Sequence, residues 1–104
     1  MSITHPIDMT ALEQARLVRE GAVSSEELVT QTLDRIRELD PAYRAFVAVF
    51  DRAIDSARRK DRQRRRASAD LTPFHGVPIG IKDLNVVRWK ATRFGSRAVP
   101  ALPL

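Results

Sequence analysis

The chain has 104 residues, 43% hydrophobic and 30% charged, which leaves room for one small domain at most and suits a globular rather than a disordered chain. It has no cysteine, which excludes disulfides, thiolate metal sites and a cysteine nucleophile, and fits a reducing, cytoplasmic compartment. The net charge of +5 is local: the run RRKDRQRRR at 58–66 holds seven basic residues and Asp61, so the remaining residues sum to −1.

The opening MSITHPIDMT has no basic region followed by an apolar core, so no signal peptide is expected. No apolar stretch reaches the length of a membrane span, so no membrane partner is expected. Two histidines, His5 and His75, are too few to suggest a metal site, and His5 reads as a surface residue.

The first half is punctuated like a helix pair. Thr10 with Glu13 forms a capping box, Ala11, Leu12, Ala15 and Val18 share one face, and Gly21 supplies a left-handed stop, which predicts a helix over 10–21. Ser24 with Glu27 repeats the start signal. Leu28, Val29, Leu33, Ile36 and Leu39 then form a stripe that Pro41 is expected to end, which predicts a helix over 24–40. The apolar run AFVAVF predicts a buried strand over 45–50, with a helical turn as the alternative. Asp51 can cap a basic helix over 51–66, with Phe50, Ala53, Ile54 and Ala57 inward. ASADLTP reads as a loop, and the apolar run leading to Lys82 predicts a second strand over 77–82.

Strand, helix, strand at this spacing is a βαβ pattern, so the expected class is α/β. Two strands alone make no stable sheet in water, and a parallel sheet needs cover on both faces. Either another chain completes it, or this is the front piece of a larger domain.

Alternation along the second strand puts Val77, Ile79 and Ile81 on one face and Pro78, Gly80 and Lys82 on the other. Gly80 contributes no side chain, and a strand glycine often marks the close approach of a ligand. A lysine crossing such a space would be partly desolvated, which favours its neutral form and suits it to act as a base. The plainer reading is that Lys82 and Asp83 mark where the strand leaves the core.

The segment LTPFHGVPIGIKDL closely resembles the lysine-bearing segment of the amidase signature family, a proline-led loop followed by H-G-V/I-P, an apolar strand and K-D. ALEQARLVREGAVSSEELV is similar to that family's N-terminal helix pair, AFVAVFDRAIDSARRKD to its strand-then-helix, and TRFGSR to its T-x-x-G-S element. The resemblance covers nearly the whole chain in order. It implies residues 1–104 as the N-terminal part of one amidase domain cut short at Leu104, within an α/β/α sandwich around a mixed sheet. Family members cleave carboxylic amides through a lysine, a serine on a cis peptide bond and a nucleophilic serine, without cofactor or metal. The lysine matches Lys82, the one catalytic residue expected here. Both serines lie downstream in the family, so this piece alone is expected to be inactive, and its implied partners are a small amide substrate and the rest of the domain. A homodimer is left open.

The chain departs from the family's pattern at Val86 and Trp89, where an acidic residue and a glycine usually sit, and at Arg93, where a second threonine is common. Trp89 reads as a core or surface anchor, with a pocket lid as the alternative. Ser96 holds the T-x-x-G-S serine and is not the nucleophile; with Gly95 it shapes a loop. His75 reads as structural.

Two other readings compete. One is a basic helical module that binds RNA or phosphate through 58–66. Those basic residues spread around the helix and lack aromatic platforms, so nucleic acid is disfavoured. The other is a non-catalytic truncated remnant.

Overall fold

The structure is a computed structural model that describes residues 5–66, 70–83, 85, 87, 88, 90, 91, 93 and 96. A short 3-10 turn, Pro6–Asp8, leads into three α-helices: α1 (Ala11–Glu20), α2 (Ser25–Tyr43) and α3 (Ala53–Arg66). None of them is long and apolar enough to cross a membrane.

Local cap chemistry sets the helix starts. Thr10 Oγ1 accepts the Glu13 N–H at 3.2 Å, and the Glu13 carboxylate accepts the Thr10 N–H at 3.0 Å. Ser24 Oγ accepts the Glu27 N–H at 3.0 Å. Each bond satisfies a first-turn donor that lacks an intrahelical partner. Gly21, at φ 77°, closes α1 in the left-handed region, where a glycine carries no Cβ penalty. Gln14 is buried beneath the incoming chain, and its amide donates to Pro6 O at 2.9 Å.

Pro41 does not end α2, which runs on to Tyr43. A proline this near a C-terminus deletes one backbone bond and breaks little else. The stop comes from Asp40 and Arg44. Arg44 takes φ 51°, and its N–H donates to Asp40 O at 2.6 Å. The Asp40 carboxylate then accepts the Ala45 and Phe46 N–H groups at 2.7 and 3.1 Å.

Among the described residues, buried apolar side chains gather in two small clusters. Val18, Val23 and Leu28 join α1 to α2, with Ile7 and Leu17 packed against them. Val29, Leu33 and Ala57 join α2 to α3, flanked by Ala53 and Ile54. A buried carboxylate ties the same two helices: Asp61 on α3 accepts the Ser25 N–H at 2.7 Å and the Glu26 N–H at 3.0 Å. Arg58 adds an exposed pair to Glu26 at 3.0 Å. Asp51 is paired through its carboxylate with Arg37 at 2.6 Å, while its backbone carbonyl accepts the Ile54 N–H.

The α/β expectation is overturned. Among the described residues the regular structure is helical: 45–50 and 77–82 form no strand, so neither a βαβ unit nor an α/β/α sandwich is present. At Ala45, Phe46, Val77 and Pro78 the backbone donor is committed elsewhere or missing. The amides of Ala45 and Phe46 go to Asp40, the Val77 N–H turns back to Phe74 O at 3.1 Å, and Pro78 has none to give. Side-chain burial follows suit. Ile79 is 82% exposed and Ile81 53%, whereas strand alternation had placed them on an apolar face.

Candidate functional site

The segment that carries Lys82 begins at a tight loop, Thr72 to Val77. Its His75 N–H donates to Thr72 O at 3.1 Å, and Gly76 sits at φ 82°. Arg19 reaches from α1 to donate to Thr72 O at 3.1 Å. His75 is buried with Nε2 2.7 Å from Lys60 O, so that nitrogen carries the proton and donates. This role is structural.

Beyond the loop the chain passes alongside residues 45–50. Gly80 lies beside Phe46, whose Cε1 would be 4.0 Å from a Cβ at that position. Two clefts open along this junction. The smaller, about 160 Å³, is apolar and lies over Val29, Leu33 and Ile36 of α2. The larger, about 670 Å³, is walled by Phe46 and Phe50 and lined by Lys82, Asp83, Lys90 and Arg93. Lys90 Nζ stands 4.4 Å from the centroid of the Phe50 ring, a cation–π distance. The Asp83 carboxylate accepts the Arg93 N–H at 2.9 Å, and Lys82 O accepts the Asn85 N–H at 3.0 Å. These bonds tie Asn85 and Arg93 to the Lys82–Asp83 pair.

Lys82 is therefore on the cleft, but it is exposed, and the desolvation expected of it is absent. The expected catalytic-lysine strand does not exist: Lys82 sits on an irregular segment. The Ser–cis-Ser–Lys relay is not assembled either. It requires a sheet to hold its parts, and among the described residues the cleft has no hydroxyl- or thiol-bearing wall residue. No Ser-Ser-Lys triad is formed among the described residues. Ser96 does not line the cleft. Trp89, Val86 and Gly95 lie outside the described residues. No group of histidines or carboxylates among the described residues could hold a metal ion.

Sequence reading missed the pairing of Asp61 with Ser25. A signal was available: Ile54, Ala57 and Asp61 follow one another at helical spacing, which puts the one acid of the basic run on the buried face. The cations around it have mixed partners. Arg58 pairs with Glu26 and Asp55, Arg59 donates to Ser56, and the Arg64 guanidinium lies over Gly21.

The profile of the Amidase family matches residues 27–102. Several curated relatives are glutamyl-tRNA(Gln) amidotransferase subunits A. That of Myxococcus xanthus (strain DK1622) is 37% identical over 90 residues, covering 86% of this chain and 18% of the relative. That of Acidothermus cellulolyticus is 40% identical over 92 residues, covering 88% of this chain and 18% of the relative. That of Salinispora arenicola is 38% identical over 96 residues, covering 91% and 19%. The chain thus spans about a fifth of the length of the curated relatives it matches. No solved structure matches it. The basic run lies inside the matched residues. The chain belongs to the amidase family.

Proposed function

We propose that residues 1–104 are the N-terminal part of an amidase domain that cleaves the C–N bond of a linear carboxylic amide, and that Lys82 is this segment's catalytic contribution. The observation that supports it is the position of Lys82 on the larger cleft, between the aromatic wall of Phe46 and Phe50 and the turn closed by Asp83 and Arg93. An amine there can take or deliver a proton as the C–N bond breaks. The apolar wall suits the body of a small amide, and the cationic rim suits its carbonyl oxygen. The nucleophile and the oxyanion donors come from outside the described residues. The names of the relatives, amidotransferase subunits, agree with chemistry at an amide nitrogen.

A segment exchange tests this reading. This chain replaces the matching portion of the Myxococcus xanthus relative, and amidotransferase activity is measured for the chimera and for its Lys82→Met variant. The chimera is expected to be active and the variant inactive. A folded but inactive chimera would overturn the functional reading, and a folded, fully active Lys82→Met variant would overturn the role of Lys82.

A further inference from the structure

We infer that Ser25 is a positioning residue for the Lys82 segment, acting through Gly76. The inference rests on the reading of Lys82 as a site residue.

Ser25 is 1% exposed and opens α2. It joins three pieces of the chain at once. Its N–H is held by Asp61 of α3 at 2.7 Å, and its hydroxyl donates to the carbonyl of Gly76 at 2.6 Å. Asp61 fixes the serine from behind, so the hydroxyl is aimed by a rigid helix terminus. Gly76 presses directly on the two helices. A Cβ there would lie 3.0 Å from Val18 Cγ1 and 3.1 Å from Ser25 Cβ, and its φ of 82° disfavours any side chain. With the His75 bond to Lys60 O, the loop is pinned to α2 and α3 at adjacent residues.

Ile79 and Ile81 are mostly exposed, so apolar burial contributes little to fixing the path to Lys82. Six residues of extended chain span up to roughly 20 Å. The direction in which the backbone leaves Gly76 therefore decides where Lys82 falls relative to Phe46 and Phe50. A buried hydroxyl bonded to a carbonyl is a directional means of setting it.

The test uses the 104-residue chain and NMR. Three variants are compared: Ser25→Ala, Ser25→Thr, and Thr32→Val, which removes another α2 hydroxyl, one bonded to Leu28 O at 2.8 Å within its own helix. In Ser25→Ala the Val77 amide is expected to exchange roughly five- to tenfold faster, as loss of one net hydrogen bond implies. The contact between Gly80 and the Phe46 ring is expected to weaken in nuclear Overhauser spectra. Leu28 and Leu33 should change no more than in Thr32→Val, and Ser25→Thr should restore the wild-type pattern. Wild-type Val77 exchange and an intact Gly80–Phe46 contact in folded Ser25→Ala would overturn the proposal. If Ser25→Ala does not fold, the unmodified chain decides. The Val77 and Ser25 amides must then exchange within about tenfold of each other after correction for intrinsic rates, as groups that open together do; a much faster Val77 would overturn the anchor. None of these readouts depends on whether Lys82 performs chemistry, so failure here is separate from failure of the segment exchange.

Discussion

The Asp61 carboxylate and the Ser25 N–H, 36 residues apart in sequence, meet at 2.7 Å in the buried junction of α2 and α3. Asp61 thereby caps the start of another helix, with Glu26 N–H as a second donor at 3.0 Å. The positive end of the α2 dipole adds to the attraction. Asp61→Ala leaves both donors without a partner and is expected to cost about 2–4 kcal/mol. Asp61→Asn keeps an acceptor but no charge and is expected to cost about 1–2 kcal/mol. Urea denaturation followed by helical circular dichroism measures both. Equal stability of Asp61→Ala and the parent would show that the cap contributes nothing net.

Gly76 and Gly80 make a contrasting pair. At Gly76 an added Cβ meets Val18 and Ser25 at 3.0 and 3.1 Å and the backbone is left-handed. Gly76→Ala is expected to lose about 1–3 kcal/mol through strain and a forced shift of the loop. At Gly80 the nearest atom is Phe46 Cε1 at 4.0 Å, an ordinary contact. Gly80→Ala should change stability by less than about 0.5 kcal/mol. Thermal midpoints of the two variants in parallel decide the matter. A larger loss at Gly80 than at Gly76 would contradict the geometry.

This contrast shows which parts of the fold were legible in the sequence. Cap chemistry is local, so Thr10 with Glu13 and Ser24 with Glu27 can be read three residues at a time. Strand pairing is not local. AFVAVF and VPIGI have the composition of buried strands, but the first two donors of AFVAVF go to Asp40, and VPIGI opens with a Val77 N–H bonded to Phe74 and a Pro78 that has none. No count of valines reveals that a carboxylate at the preceding helix end will capture two amides. Pro41 misled for a related reason, because its penalty in the last turn is small beside the stop imposed at Arg44. At the candidate site, the spacing of His75, Gly76, Gly80 and Lys82 marks one continuous segment. The burial of His75 depends on α3, whose Lys60 carbonyl accepts from its ring, and the segment itself does not encode that.

The exposed apolar residues of 45–50 and 77–82 have a measurable consequence. Val47 is 62% exposed and Ile79 82%, with Phe46, Phe50 and Ile81 beside them also exposed. Contiguous apolar surface of this kind favours association. The isolated chain is expected to sediment as concentration-dependent oligomers and to bind an apolar dye. Val47→Lys with Ile79→Lys should reduce both while leaving helical content unchanged. A clean monomer at high concentration, with no dye binding, would refute this.

The isolated chain is also expected to be inactive on simple amides. Among its described residues the larger cleft offers amines, a guanidinium, an amide and a carboxylate, but no hydroxyl or thiol to attack an acyl carbon. Ammonia release from a panel of linear amides, compared with a heat-treated control, checks this. Sustained release by the purified chain would mean that the cleft recruits a nucleophile from elsewhere in these residues.

The final prediction concerns the side chain of Lys82 in the chimera that carries this segment. If its amine transfers a proton during C–N cleavage, charge alone cannot replace it. Lys82→Met keeps most of the stem's packing and removes the amine. Lys82→Arg keeps a cation but offers a group that does not release its proton at ordinary pH. Both variants should fold, because Lys82 is exposed and its backbone carbonyl, the acceptor for Asn85, is unchanged. Both should lose about 10²–10⁴-fold in turnover, the usual scale of a proton-transfer contribution. An electrostatic role would separate the two, with Lys82→Arg retaining most activity and Lys82→Met losing it. Asp83→Asn provides the comparison. Its carboxylate accepts the Arg93 N–H at 2.9 Å, so its replacement should loosen the turn and raise KM more than it lowers kcat. A Lys82→Met chimera that is folded and turns over at the parent rate would return Lys82 to the role of a solvated residue at the cleft rim.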